Sequence, residues 1–248
     1  MKKLIVPAVA LVCSYIILNI MSNVAATRVA EAIQSGRMQS QPLPDAFLPE
    51  QGWHAIWLTD LFDFLIVGLF VTSLLLSYHR ALHQFTEYRL PQFQSQQDLL
   101  WVVVPGQNTF REHIKKECPG VGRHWACGLA LCNMLRALIV ASTTIPDSRP
   151  ECMQPEKESR SLFAVQLHRC GDAMFSGYMA LATITVCSLY EAWRRRLVSL
   201  RLVVAGFLLL LMQALSILMN RTHYSMDVLV AVFVSVGVYS LLRLVRCW

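Results

Sequence analysis

Six long apolar stretches, residues 4–26, 61–78, 125–145, 173–190, 202–219 and 228–245, limit what this chain of 248 residues can fold into. A helix rises 1.5 Å per residue, so about 20 residues cross the roughly 30 Å hydrocarbon layer of a bilayer. Within lipid a segment must satisfy its own backbone hydrogen bonds, which leaves the helix as the form for each stretch. Composition agrees: 55% of residues are apolar and 15% charged, against about 25% charged in soluble domains, and mean hydropathy is +0.44. The expected fold is all-α: one polytopic membrane domain over residues 1–248, built as a six-transmembrane-helix bundle. The third stretch is the least regular, because Arg136 interrupts it. "LLWVVVP", residues 99–105, is too short to span and reads as interfacial or packed against the bundle.

Lysine and arginine in short loops stay on the cytoplasmic side. With six spans and the N-terminus inside, Lys2, Lys3, the basic residues from Arg80 to Arg123, Arg194 to Arg196, Arg201, Arg243 and Arg246 fall there, 14 of 22 basic residues. Both termini are then cytoplasmic, and segments 27–60, 146–172 and 220–227 face outward. The net charge of +6 therefore follows from topology; no basic module with interleaved aromatics points to nucleic acid. "MKK" and "VAA" also suit a cleaved leader, but the apolar run to Ile20 exceeds the usual h-region of about 7–15 residues, so a retained span is expected. Eight cysteines show no paired CxxC spacing, and no metal site is expected. Cys13, Cys127, Cys132 and Cys187 read as small residues buried in spans, while Cys152 and Cys170 share one outer loop where a disulfide is an open alternative.

The outward segments carry the chemistry-bearing residues. "RTHYSMDV" sets His223 and Asp227 four residues apart at the start of the sixth stretch, a spacing that puts two side chains on one helical face. A carboxylate on one imidazole nitrogen fixes the tautomer and leaves the other nitrogen as base or nucleophile; the plain alternative is a structural histidine at a helix end. "CGDAMFSGY", residues 170–178, opens the fourth stretch with Ser176 and Gly177, where a helix N-terminus offers N–H groups to an anion. Close helix packing at the glycine is the competing reading. Arg136 is costly inside a span, so it serves either an anionic headgroup or a carboxylate within the bundle.

"PLPD" at residues 42–45, the Arg136 run ending "STTIP", "CGD" followed by "SG", and "HYSMDV" occur in one order that resembles the sphingomyelin synthase family, related to the lipid phosphate phosphatases of the PAP2 superfamily. The core motifs lie within residues 42–227, and the likeness runs to Trp248. The resemblance implies a phosphotransferase that moves a phosphoalcohol headgroup (choline, ethanolamine or inositol) from a glycerophospholipid to ceramide and releases diacylglycerol. It implies a site facing the lumen or cell exterior, in a Golgi or plasma membrane. His223 would attack phosphorus with Asp227 as its orienting partner. Asp172, Ser176 and Gly177 would line the substrate site, with no cofactor; for the phosphodiester charge the candidates are Arg136, then Arg169 and Arg221, the last two being equally readable as ordinary loop charges contacting lipid headgroups. Tyr224 and Phe175 read as interfacial anchors, or as faces for a quaternary ammonium group. Oligomeric state is left open.

One position departs from the family pattern. Where the family has the histidine of "SGH" as general acid or base, this chain has Tyr178. Histidine titrates near 6.5 and tyrosine near 10, and loss of a positioned acid or base costs about 10²- to 10⁴-fold. Three outcomes follow: Tyr178 protonates the leaving diacylglycerol oxygen; another group, with His168 nearest in sequence, supplies the proton; or the site binds lipid without turnover. Hydrolysis, with water as acceptor, is a further alternative.

Overall fold

The computed structural model describes residues 2–36, 55–87, 107–143, 175–220 and 222–244. Among them the chain forms six helices and no strand: α1 (Lys2–Gln34), α2 (Ile56–Glu87), α3 (Gln107–Ser142), α4 (Gly177–Arg194), α5 (Leu200–Met219) and α6 (Ser225–Leu244). Five are long and apolar enough to cross a membrane: α1, α2, α5, α6 and the Pro119–Ser142 part of α3. The protein is a membrane helical bundle.

The expected count of six spans meets its exception at α4, which carries the polar residues Thr183, Thr185, Ser188 and Glu191. All four are buried, because α4 packs against α2, α3, α5 and α6. A helix wrapped by other helices does not face lipid, so it needs less apolarity than its neighbours. By contrast α5 turns Val204, Phe207, Leu208, Leu211, Met212 and Leu215 outward at helical spacing. The third helix also begins well before Trp125. A polar first part runs from Gln107, and Pro119 marks the change to the apolar part.

Contacts at the helix ends establish the up-and-down order. Arg28 Nη1 donates to the Ala141 carbonyl at 2.7 Å, joining the end of α1 to the end of α3. Asn220, at the end of α5, holds the start of α2: its Oδ1 accepts from Ala55 N–H at 3.0 Å. Its Nδ2 donates to Ala55 O at 3.1 Å, Thr59 Oγ1 at 3.3 Å and Ser216 Oγ at 3.3 Å. Ser176 N–H meets Asp227 O at 3.5 Å, which sets the starts of α4 and α6 together. All six helices thus present one end to a common face.

At the opposite face buried Glu191 gathers three arginines: Arg195 Nε at 2.9 Å, Arg243 Nε at 3.6 Å and Arg194 Nη1 at 3.8 Å. There α4 ends in a Schellman turn. Leu197 N–H returns to Ala192 O at 2.9 Å and Arg196 N–H to Trp193 O at 2.8 Å. Arg196 occupies the left-handed region, φ 58°, and Leu197 tucks into the cluster of Phe70, Val121, Leu189 and Ala192. Cys132 is buried as expected. Cys13 is exposed, and Cys127 and Cys187 are half-buried, because their helix faces point between neighbours or toward lipid. The 99–105 segment, the "PLPD" motif, Cys152, Cys170 and His168 lie outside the described residues.

Candidate active site

The site forms where α3, α4 and α6 meet at the common face. α4 opens with Ser176, fully buried, whose hydroxyl accepts from Met179 N–H at 3.4 Å. Gly177 follows with no side chain, and the guanidinium of Arg136 from α3 lies against it. A Cβ built on Gly177 would overlap Arg136 Nη1 and stand 2.6 Å from its Cζ. A cation beside the positive end of a helix is electrostatically unfavourable by itself. Two positive features converging on one spot form a cradle for an anion with which both interact, and a phosphodiester has that charge.

His223 and Asp227 are both buried, with His223 Nδ1 3.7 Å from Asp227 Oδ2. They come together otherwise than expected. His223 precedes α6 rather than riding on it, and Asp227 lies in the first turn. The carboxylate reaches back to accept from Tyr224 N–H at 2.9 Å, while Asp227 N–H donates to Tyr224 O at 3.1 Å. This is half of a capping box, so one carboxylate both starts the helix and faces the imidazole. The 3.7 Å separation is longer than a hydrogen bond. Positions run Arg136 to Gly177 to Ser176 to Asp227 to His223 in unbroken contact.

Tyr178 stands beside Arg136 and Gly177. It lines a cavity of about 570 Å³ with Arg136 and Gly177, and His223 and Asp227 are not in its wall. The same cavity holds Asp60 and Asp63 from α2, the first just before and the second just inside the second apolar stretch, and neither was among the expected site residues. Its signal was present: two carboxylates three residues apart at the edge of an apolar stretch. Tyr224 and Phe175 are corrected from interfacial anchors to buried residues, Phe175 fully enclosed in the core. Neither offers an open ring face to a ligand. Arg169, Asp172 and Arg221 lie outside the described residues. Among the described residues no group of three or more His, Cys, Asp or Glu is arranged to hold a metal ion.

Residues 169–244, which contain Tyr178, His223 and Asp227, match the family described as PAP2 superfamily C-terminal. The match makes this part of the chain similar to the C-terminal part of PAP2 superfamily proteins. Two curated relatives align more broadly. The phosphatidylinositol:ceramide inositolphosphotransferase 2 of Arabidopsis thaliana is 30% identical over 115 residues, 42% of this chain and 36% of the relative. The phosphatidylinositol:ceramide inositolphosphotransferase of Trypanosoma cruzi (strain CL Brener) is 29% identical over 119 residues, 44% of this chain and 35% of the relative. The alignments cover about a third of each relative's length. Together the PAP2 match and these relatives support the kinship read from the four motifs, with the sphingomyelin and inositol phosphorylceramide synthases.

Proposed function

We propose that this protein is a membrane phosphotransferase that moves a phosphoalcohol headgroup from a glycerophospholipid to ceramide, with release of diacylglycerol. The observation that carries the reading is the convergence of the Arg136 guanidinium on the Gly177 end of α4, one residue from the contact that leads to His223 and Asp227. The donor phosphate binds between Arg136 and the α4 N-terminus, with Ser176 shaping the turn. Asp172, on the resemblance, and Arg169 and Arg221, by their charge, are further substrate-binding candidates. Asp227 holds the Nδ1 side of His223, and Nε2 attacks phosphorus. The P–O bond to diacylglycerol breaks as the P–N bond forms. Tyr178 gives its phenolic proton to the departing oxygen, an alkoxide basic enough to take it. Phosphatidylinositol and ceramide, the substrates named for both relatives, are the first pair to test. The reaction takes place on the luminal or extracellular face, with both termini cytoplasmic, in a membrane of the secretory pathway.

Tyr178 in the place of a histidine favours a second reading, a lipid-binding protein without turnover. The test compares wild type, His223→Ala and Tyr178→His in membranes lacking such activity, with labelled ceramide and a panel of donors. Ceramide-dependent product from wild type, lost in His223→Ala, upholds the transferase. Headgroup release with ceramide omitted marks a hydrolase. Product from Tyr178→His alone marks a binding scaffold whose chemistry was lost at that position.

A further inference from the structure

The cavity shared by Tyr178 and Arg136 has a second polar end with no assigned role. One wall is apolar and comes from α1: Leu11, Val12, Ile16 and Leu18, with Tyr15. Val12, Tyr15 and Ile16 are 59%, 45% and 53% exposed, so the cavity opens sideways toward lipid. It does so because α1 packs chiefly on α3 among the described residues, not on α2. Across from it stand Asp60 and Asp63 of α2, three residues apart and on one helical face. Asp63 Oδ1 accepts from Gln213 Nε2 of α5 at 3.1 Å, and Gln213 is fully buried, so the carboxylate is held from behind by a neutral donor.

The charges lining the cavity are two carboxylates and one guanidinium. Arg136 offsets one, and Gln213 supplies a hydrogen bond without charge. Two carboxyl groups facing one guanidinium at membrane depth are expensive to keep and mark a site with a task. That end repels phosphate and accepts hydrogen bonds, so it suits a neutral ligand rich in donors. The apolar α1 wall suits a long chain. A long-chain lipid bearing hydroxyl and amide N–H groups has both properties.

Resting on the function proposed above, we infer that this cavity is the acceptor site and that the Asp60–Asp63 pair receives the proton of the acceptor hydroxyl, the task left open by Tyr178. The acceptor O–H bond breaks and its proton passes to Asp63. The acceptor oxygen bonds to phosphorus as the bond from phosphorus to His223 Nε2 breaks, and that electron pair returns to the imidazole. Arg136 and Gly177 border both the phosphate cradle and this cavity, which brings the two partners to one phosphorus. The proton on Asp63 then restores Tyr178, which gave its own to diacylglycerol.

The test uses the full chain in lipid nanodiscs, as wild type, Asp60→Asn, Asp63→Asn and Ile16→Trp. Crosslinking of a photoactivatable ceramide reads binding, and ceramide-dependent product reads turnover. Loss of an acid or base predicts a fall of about 10²- to 10⁴-fold in kcat/KM for ceramide in Asp63→Asn, with a much smaller change in the single-turnover burst of diacylglycerol. Ile16→Trp, which fills the lateral opening without touching a charge, lowers crosslinking at unchanged melting temperature. Wild-type crosslinking that depends on Asp60 and Asp63, without any turnover, upholds the site while overturning the transferase. Turnover indifferent to both substitutions upholds the transferase and overturns the acceptor site. Asparagine variants that only melt earlier would show the pair to be a structural partner of Arg136 and overturn it too, as would a wild type that neither crosslinks nor turns over.

Discussion

Gly177→Ala separates folding from function at a single atom. The added Cβ would overlap Arg136 Nη1 and lie 2.6 Å from Cζ and 3.1 Å from Nη2. All three atoms belong to the far end of a long flexible side chain, so the guanidinium swings aside and the backbone stays. Alanine in the first turn of a helix is favoured over glycine by up to about 1 kcal/mol, which offsets the displacement; the melting temperature is expected to stay the same or rise slightly. The phosphate cradle, however, loses its guanidinium. A hydrogen bond to a charged group is worth about 1.5–3 kcal/mol, so kcat/KM for the phospholipid donor is expected to fall about 10- to 150-fold. Arg136→Ala should give a fall of similar size. The double variant should be little worse than either single one, since both remove one interaction. The assay pairs donor-dependent product formation with thermal unfolding of the purified protein. Wild-type turnover in Gly177→Ala, or fully additive losses in the double variant, would refute the shared cradle.

Other substitutions probe other parts of the structure. Asp227→Asn retains an oxygen for the Tyr224 N–H and so melts near wild type, yet loses the charge that orients His223 and loses most turnover. Asp227→Ala loses the capping contact as well and is expected to destabilise by about 1 kcal/mol, so calorimetry distinguishes the two. Asn220→Ala removes the hydrogen bonds that bind α5 to the start of α2. Interhelical bonds in membranes average about 0.6 kcal/mol and reach about 1.7, which predicts a loss of about 2 kcal/mol in a reversible unfolding assay. Arg196→Gly relieves the left-handed residue of the α4–α5 turn and is expected to stabilise by about 1 kcal/mol, read as a higher melting temperature; a lower one would mean that the Arg196 side chain makes a contact worth more than the strain.

The number of long helices and the list of candidate reacting groups were legible in the chain because both depend on local facts. Apolar length measures a span, and His223, Asp227, Ser176 and Gly177 announce themselves by spacing and residue type. Arg136 was conspicuous as a charge amid apolar neighbours. Only the tertiary structure decided what these groups meet. That α4 tolerates Glu191 and three hydroxyl residues follows from its enclosure by four other helices, a property no window along α4 contains. Asp227 acts back on Tyr224 N–H because α6 begins two residues later than spacing suggested, and helix starts are set by capping hydrogen bonds rather than by hydropathy. Phe175 and Tyr224, aromatic residues at stretch ends, proved buried because α4 and α6 start against one another. The meeting of Arg136 with Gly177, and of Tyr178 with Asp60 and Asp63, joins residues on helices far apart in sequence. Hydropathy marks the helices that can face lipid; side-chain packing decides where an enclosed helix such as α4 fits and which polar groups share a cavity.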